Sequence, residues 1–234
     1  MGVHHSPRMI TDGLILSLDA ANPKSYPGSG TLWTDMSGAG NHATFTSLAT
    51  HVPGSHFSFD GVANYATLDS GLETTIDGLS EFTMTVLVNI KFFEHVDNIV
   101  GWGNANGTGS PLVSKTLGFY NTSGTLKACY ASTADFGTSA TMVDKWVFLV
   151  SRYTATTIYA DMFGKVTNSN QHTLDDNPTW KNIDGQGYSI TIGKTSYFAR
   201  YAECDISLIQ AYNRKLTNEE IEQNFDACRG RFGI

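Results

Sequence analysis

The stretch EFTMTVLVNI, residues 81–90, alternates apolar and polar side chains and decides the fold class. Its alternate apolar residues would share one face of an extended chain: Phe82, Met84, Val86, Val88 and Ile90. The polar residues of the opposite face are Thr83, Thr85 and Asn89. Because successive side chains of a strand point to opposite sides of a sheet, this two-residue period predicts a β-strand.

The same period recurs along the chain, between clusters of turn-forming residues. KWVFLVSRYT, residues 145–154, places Trp146, Phe148 and Val150 on one face, and we expect Trp146 to lie in the core. GTLKACYAS, YSITIG and CDISLIQAY repeat the pattern, while NPKSYPGSG, NTSG and NIDGQG mark turns. About a dozen short strands separated by turns predict an all-β, two-sheet antiparallel jelly-roll sandwich. We assign residues 12–234 to this single domain and residues 1–11 to an N-terminal arm.

One segment departs from the β pattern and predicts a short C-terminal helix over about residues 218–228. In KLTNEEIEQNFDACRG, Thr217 is followed three residues later by Glu220, which is the spacing of a capping box. Ile221 and Phe225 share a helix face, and Leu216 can close over Ile221 as a hydrophobic staple. We therefore expect this helix to pack on its own sandwich.

Net charge, apolar content and cysteine spacing limit the partners and the cellular compartment that the sequence predicts. The net charge is −7, so the sequence predicts no basic surface for nucleic acid. It contains no apolar run of membrane-spanning length, and MGVHHSPRMITDG lacks the apolar core of a signal peptide. Cys129, Cys204 and Cys228 are widely spaced, which favours buried thiols and leaves open one bridge between Cys204 and Cys228.

Six segments, in order, resemble the laminin-G-like branch of the concanavalin A-like lectin/glucanase superfamily. They are GLILSLDAANPKSYPGSGTLWTDMSGAGNHATF, FSFDGVANYATL, EFTMTVLVNI, DKWVFLVSRYTATTIYADMFGKV, YSITIG and CDISLIQAYNRKLTNEEIEQNF. The opening stretch SPRMITDGLILSLDAANPKSYPGSGT and the closing stretch NFDACRGRFGI are similar to versions found in virion proteins of tailed bacteriophages. The resemblance implies a lectin-like jelly roll over nearly the whole chain.

That resemblance implies a function in recognition or assembly. We expect a non-catalytic virion structural protein, a capsid decoration or tail-associated subunit, on the virion surface after synthesis in the host cytoplasm. Its partners would be other virion proteins, further copies of itself in a homo-oligomer, and cell-surface glycans. MGVHHSPRMI would be an assembly arm, ordered only against a partner subunit. The alternative is a free-standing lectin for host or environmental glycans.

Candidate glycan-binding residues are aromatic residues beside polar loop residues, because lectins hold sugars with aromatic faces and with Asn or Asp side chains. The set is Trp102, Tyr120, Asn121, Trp180 and Tyr197. Packing in the core or at its rim is the alternative for each aromatic residue.

Calcium is the candidate metal, because many relatives of this fold hold one ion at a sheet edge. The resemblance implies Asp19, Asp35, Asn41 and Asp205 as ligands, and Ca²⁺ prefers such oxygen donors. The alternative is that these side chains accept hydrogen bonds from the backbone of their own turns and strand ends.

The turn-rich stretch LWTDMSGAGNHATF, residues 32–45, is interpreted as scaffolding. A phosphate cradle would need a lysine after its glycines, and none follows. We expect Trp33 and Phe45 to point into the core, and Asp35, Ser37 and Asn41 to hydrogen-bond the backbone of the turn.

Two catalytic motifs are missing from the sequence, and on that ground we expect no enzyme. The Glu-x-Asp-x-x-Glu strand of the superfamily's glucanases does not occur, although Glu203 and Asp205 form a partial match. The Gly-x-Ser-x-Gly elbow of serine hydrolases does not occur either.

Overall fold

The structure is a computed structural model of the chain, and it describes ten ranges of residues. These are 7–76, 79–91, 98–102, 117–122, 125–130, 132–138, 142–164, 168–173, 189–195 and 199–234. Within these ranges, sixteen strands form two eight-stranded sheets, and all pairings between named strands are antiparallel. The predicted all-β sandwich is therefore confirmed.

Sheet A contains the strand that decides the fold. In spatial order its strands are β14 (Asn168–Thr173), β13 (Thr157–Gly164), β12 (Trp146–Tyr153), β7 (Phe82–Ile90), β16 (Glu203–Tyr212), β5 (His56–Asp60) and β4 (Thr50–Val52), and β1 (Leu14–Asp19) also pairs with β16. Sheet B runs β11 (Ser132–Thr138), β10 (Thr125–Tyr130), β9 (Leu117–Thr122), β8 (Asn98–Trp102), β15 (Thr191–Ile192), β6 (Tyr65–Leu68), β3 (Ala43–Ser47) and β2 (Leu32–Trp33).

The apolar face predicted for β7 lies in the core. Its five residues, Phe82, Met84, Val86, Val88 and Ile90, are each at most 3% exposed. They belong to the same apolar cluster as Trp33 and Phe45, whose rings stack with centroids 6.0 Å apart. The expectation that Trp33 and Phe45 point into the core is thus confirmed.

The opposite face of β7 is also buried, which its alternating sequence does not predict. Thr83 and Thr85 are fully buried, and Asn89 is only 7% exposed. A second apolar cluster covers this outer face of sheet A, and its fully or nearly fully buried members are Leu87, Phe148, Val150, Leu208, Tyr212, Leu216, Ile221 and Cys228. The C-terminal helix and the residues that follow it therefore form a third layer.

The C-terminal helix α2 spans Asn218–Cys228, as predicted. The Thr217 side chain accepts a hydrogen bond from the Glu220 N–H, and the Glu220 carboxylate accepts one from the Thr217 N–H, so the capping box is confirmed. Ile221 is 1% exposed, whereas Phe225 is only partly buried. A short helix α1, Gly71–Ile76, buries Leu72 and Ile76 and has no counterpart in the sequence prediction.

Trp146 shares the outer face of sheet A with Phe148 and Val150, which confirms the predicted pattern. It is only partly buried, and its ring stacks on Phe232 with centroids 3.6 Å apart. The expectation of a core position is met only in part, because Trp146 packs against the outer apolar cluster and Phe232 and is not fully buried.

The N-terminal segment is held on this chain's own sandwich from residue 8 onward. The Ile10 N–H donates to Asn224 Oδ1 at 2.8 Å, Tyr212 Oη donates to the Ile10 carbonyl, and Gln223 Nε2 donates to the Arg8 carbonyl. The expectation that this segment is ordered only against a partner subunit is therefore wrong for residues 8–10. Residues 1–6 lie outside the described ranges, and the assignment of 1–11 as an arm stays a prediction.

Cys204 and Cys228 are free thiols, so the bridge that the sequence left open is not formed. Cys204 belongs to the core between the sheets, and Cys228 lies in the cluster on the outer face of sheet A. Burial raises the pKa of the Cys228 thiol to about 12, which keeps it protonated at neutral pH.

Candidate functional site

Several loops meet at one end of the sandwich, where β5, β7 and β15 end and β6 and β16 begin. The strand register brings Asp60 opposite Glu203, and a single bridge pairs Lys194 with Tyr201. Tyr65, at the start of β6, pairs with Ser47 of β3. Residues from distant parts of the chain are thereby brought to one surface.

Two tyrosines and one lysine form a compact group on this surface. The rings of Tyr65 and Tyr201 have centroids 6.2 Å apart. The Lys194 ammonium lies 4.4 Å from the Tyr65 ring centroid and 5.7 Å from that of Tyr201. All three residues are partly exposed. We call Tyr65, Lys194 and Tyr201 the tyrosine–lysine patch.

Backbone hydrogen bonds hold the loops that carry the patch. One Asp60 carboxylate oxygen accepts the N–H groups of Val62, Ala63 and Asn64, which closes the turn before Tyr65. Burial alone would raise the pKa of Asp60, but these backbone hydrogen bonds lower it below its ordinary value. The carboxylate is therefore charged and the turn is closed at neutral pH.

Gly193 fixes the chain immediately before Lys194. Its φ is +78°, and a Cβ built on it would lie 2.4 Å from a ring carbon of Phe59. The Gly193 N–H donates to the Ile99 carbonyl, and its own carbonyl accepts from the Ala202 N–H. Only glycine satisfies both the backbone conformation and this close approach.

Sheet B exposes a polar face beside the patch. Thr44, Thr67 and Thr191 are in register across β3, β6 and β15. Thr44 is exposed and Thr67 partly exposed, whereas Thr191 is buried and its hydroxyl donates to the Lys194 carbonyl. The tyrosine–lysine patch thus continues into a hydroxyl-bearing sheet surface.

A second polar group lies on sheet A at the same end. The Lys91 ammonium is 3.1 Å from Asp205 and 3.4 Å from Asp144, and His56 Nε2 is 3.6 Å from Asp205. We call these four residues the acid–base cluster. Asn89 pairs with Asp205 in the ladder, and its side-chain oxygen has no hydrogen-bond partner among the described residues.

Burial and charge together shift the pKa values of His56 and Lys91 in opposite directions. Burial lowers the pKa of His56 below its ordinary value, and Lys91 and His51 add to this effect while Asp205 opposes it. Burial alone would lower the pKa of Lys91, but its hydrogen bonds and attraction to Asp205 and Asp144 raise it. At neutral pH the cluster therefore holds a charged lysine beside a neutral histidine.

Two of the predicted calcium ligands, Asp35 and Asn41, lie in one turn. The Asp35 carboxylate accepts the N–H groups of Ser17, Ser37 and Asn41 and the Ser37 hydroxyl, at 2.7–3.1 Å. The Asn41 amide donates to the Ile15 carbonyl. These bonds match the turn-scaffolding interpretation of the stretch.

The other two predicted calcium ligands lie elsewhere. Asp19 forms a bidentate ion pair with Arg231, both distances being 2.7 Å, and Asp205 belongs to the acid–base cluster. Across the described ranges, no three His, Cys, Asp or Glu side chains form a group suited to a metal ion. The structure thus gathers only Asp35 and Asn41 of the four, and calcium binding stays a prediction.

None of the five predicted glycan-binding residues has a described side chain. Trp102 lies in β8, and Tyr120 and Asn121 lie in β9, both strands of sheet B. Their side chains, and the whole of Trp180 and Tyr197, lie outside the described part of the structure. Their role in glycan binding stays a prediction.

Sequence reasoning missed all three residues of the tyrosine–lysine patch. Tyr65 and Tyr201 follow turn-forming segments, as the selected aromatic residues do, and that signal was present in GVANYATL and FARYAEC. What the sequence cannot reveal is that Lys194 lies over both rings, because this depends on the pairing of distant strands.

Neither helix of the described residues has the length and apolar character needed to cross a bilayer.

Comparison with known proteins identifies the fold and no family. No protein-family model matches the chain, and no curated protein sequence matches it. Among solved structures, a Trypanosoma rangeli sialidase in complex with the inhibitor DANA matches with a TM-score of 0.62 and 17% identity, over 97% of this chain and 36% of that one. The receptor-binding domain of botulinum neurotoxin type G matches with a TM-score of 0.60 and 13% identity, over 92% of this chain and 51% of that one.

These likenesses show an all-β sandwich shared with chains of sialidases and of toxin receptor-binding domains. The chain spans about a third of the length of the sialidases that it matches. None of the matches described here is a virion protein, so the link to tailed bacteriophages finds no support in them.

The same structural matches correct the sequence-based prediction that this protein is not an enzyme. The matched sialidases are enzymes, so the fold occurs within catalytic chains. The two missing motifs exclude only the mechanisms that need them, and the sequence-based prediction of no enzyme is wrong as a general statement. At 17% identity the likeness carries the fold and transfers no activity to this chain.

Proposed function

We propose that this protein recognises glycans through the tyrosine–lysine patch. The observation that carries the proposal is the convergence of Tyr65, Tyr201 and Lys194 on one partly exposed surface. Tyr65 begins β6, whereas Lys194 and Tyr201 lie in the connection between β15 and β16, and backbone hydrogen bonds hold the chain beside each of them.

The patch has the chemistry that sugar binding needs. Aromatic faces pack against the CH surfaces of a pyranose ring, while phenol, ammonium and threonine hydroxyl groups exchange hydrogen bonds with its hydroxyls. Because the backbone at Tyr65, Lys194 and Tyr201 is already paired with neighbouring segments, binding would cost little conformational entropy at these residues.

The fold comparisons support glycans as the ligand class to test. One matched structure is a Trypanosoma rangeli sialidase in complex with sialic acid, and others are receptor-binding domains of botulinum neurotoxins. Those ligands belong to those proteins, and here they only suggest where a ligand screen should begin.

A glycan array followed by titration calorimetry tests the proposal. Tyr201→Ala and Tyr65→Ala should each weaken binding by about tenfold, because each removes one aromatic face. Tyr159→Ala is the matched control, since Lys215 lies 4.0 Å from the Tyr159 ring at a different site. Equal losses in all three variants, or an array without any bound glycan, would contradict the proposal.

Assembly in a virus particle, with other virion proteins or further copies of the chain as partners, is the finer proposal that the sequence resemblance favours. Co-sedimentation of the purified chain with virus particles or empty capsids tests it. The proposal gains no support from residues 8–10, which pack on their own chain. Location on the virion surface depends on the same experiment.

A further inference from the structure

We propose that the glycan bound at the tyrosine–lysine patch is acidic, and that its carboxylate or sulfate group is received by the Lys194 ammonium. This inference rests on the proposed function and names its ligand class. It comes from the way in which Lys194 is held, compared with the other basic residues of the described ranges.

Five of these basic residues have an acidic partner. Carboxylates pair with Lys91, Arg152, Arg214, Arg229 and Arg231. No carboxylate of the described residues pairs with Lys194, although the chain has 22 acidic residues against 15 Lys and Arg. Among the described residues, Arg8, Lys24 and Lys215 also have no carboxylate partner, but of these four only Lys194 lies over two aromatic rings.

Aromatic contact positions the ammonium without neutralising it. The rings of Tyr65 and Tyr201 attract the cation through their quadrupoles, yet the charge stays at +1. A lysine ammonium has three N–H donors, and oxygen atoms of an anionic sugar would accept from them. The ring contacts leave that capacity for a ligand.

The backbone of Lys194 is fixed as well. Its carbonyl accepts from the Thr191 hydroxyl, its ladder partner is Tyr201, and the next residue donates to the Arg200 carbonyl. Because the backbone at Lys194 is already ordered, less conformational entropy remains to be lost when an anion binds.

Nearby acids limit the size of the anion that this end can accept. Asp60 is occupied by its own turn, whereas Glu203 is exposed at the start of β16. With the net charge of −7, these acids disfavour long polyanions. The surface suits a single terminal acidic sugar.

Titration with three probes tests the inference: lactose, 3′-sialyllactose and 3′-sulfolactose. At low salt we expect at least one acidic probe to bind about fivefold or more tightly than lactose, with the preference shrinking as salt is added. Lys194→Met should abolish the preference, so that this variant binds the acidic probes no more tightly than it binds lactose. Lys194→Arg should restore much of the preference for the acidic probes. Lys215→Met, which changes the lysine over the Tyr159 ring, should leave the affinities of all three probes unchanged.

The outcomes separate the two proposals. A preference for the carboxylate or for the sulfate alone supports the inference and identifies the group. Equal binding of all three probes, or an unchanged preference in Lys194→Met, overturns the inference and leaves glycan recognition intact. No binding of any probe, together with an empty glycan array, overturns both.

Discussion

Replacing Gly193 by alanine should damage both the stability of the sandwich and the tyrosine–lysine patch. The residue has φ +78°, and the new Cβ would lie 2.4 Å and 2.7 Å from two ring carbons of Phe59. Phe59 is 1% exposed and packed in the core, so its ring has little room to move.

The expected loss of unfolding free energy has two parts. A positive φ costs an alanine about 1–2 kcal/mol. Overpacking against a buried ring adds about 1–3 kcal/mol, which brings the total to about 2–5 kcal/mol. Because Lys194 follows directly and Tyr201 precedes Ala202, which donates to Gly193, the displacement should also weaken glycan binding.

A matched control isolates the contact with Phe59. Gly38 has φ +91° with nothing within 4 Å of its Cβ position, so Gly38→Ala should lose only the conformational part, about 1–2 kcal/mol. Urea unfolding with unchanged m-values measures both variants. Adding Phe59→Leu to Gly193→Ala should recover part of the packing loss, as a coupling energy in a double-mutant cycle. The reasoning fails if Gly193→Ala and Gly38→Ala are equally destabilised, or if the cycle shows no coupling.

Three further predictions concern helix packing, pH and metal. Ile221→Ala should lower the unfolding free energy by about 2–4 kcal/mol, because Ile221 is fully buried. Phe225→Ala should lower it by about 1.5–2.5 kcal/mol, half the loss expected for a fully buried Phe, because Phe225 is only partly buried. A larger loss for Phe225→Ala than for Ile221→Ala in urea unfolding would contradict this packing. Since the folded state lowers the pKa of His56, it takes up fewer protons than the unfolded chain, so stability should fall as pH drops below about 7. His56→Gln should reduce that fall between about pH 7 and pH 5, and identical pH profiles of the urea midpoint would refute the assignment. If the four predicted calcium ligands hold an ion, EDTA should lower the melting temperature and added Ca²⁺ should restore it, whereas indifference to both treatments would favour the hydrogen-bonded turns.

Local patterns predicted the elements that depend on neighbours in sequence. The two-residue period of β7 and the Thr217–Glu220 capping box are both confirmed, because strand alternation and helix capping are set within a few residues. The hydrogen-bonded turn around Asp35 was predicted for the same reason, because its hydrogen bonds run mainly between residues close in sequence.

Predictions failed where a distant segment covers a strand or meets a loop. The polar residues of β7 lie opposite the core between the sheets, as expected, but the sequence did not predict that Thr83 and Thr85 are buried under an outer layer. Trp146 was expected in the core, and Phe232 holds it on the outer face. Alternation reveals that a strand has two faces, but it does not reveal what covers the second face.

The sequence by itself determined an all-β sandwich with one capped C-terminal helix, because period, turn chemistry and capping are local. The tertiary structure alone decided that Tyr65, Lys194 and Tyr201 share one surface. Their meeting depends on strand register, which turns a side chain to the other face when the pairing shifts by one residue. No local pattern contains that information, because the register arises from the packing of the whole sandwich.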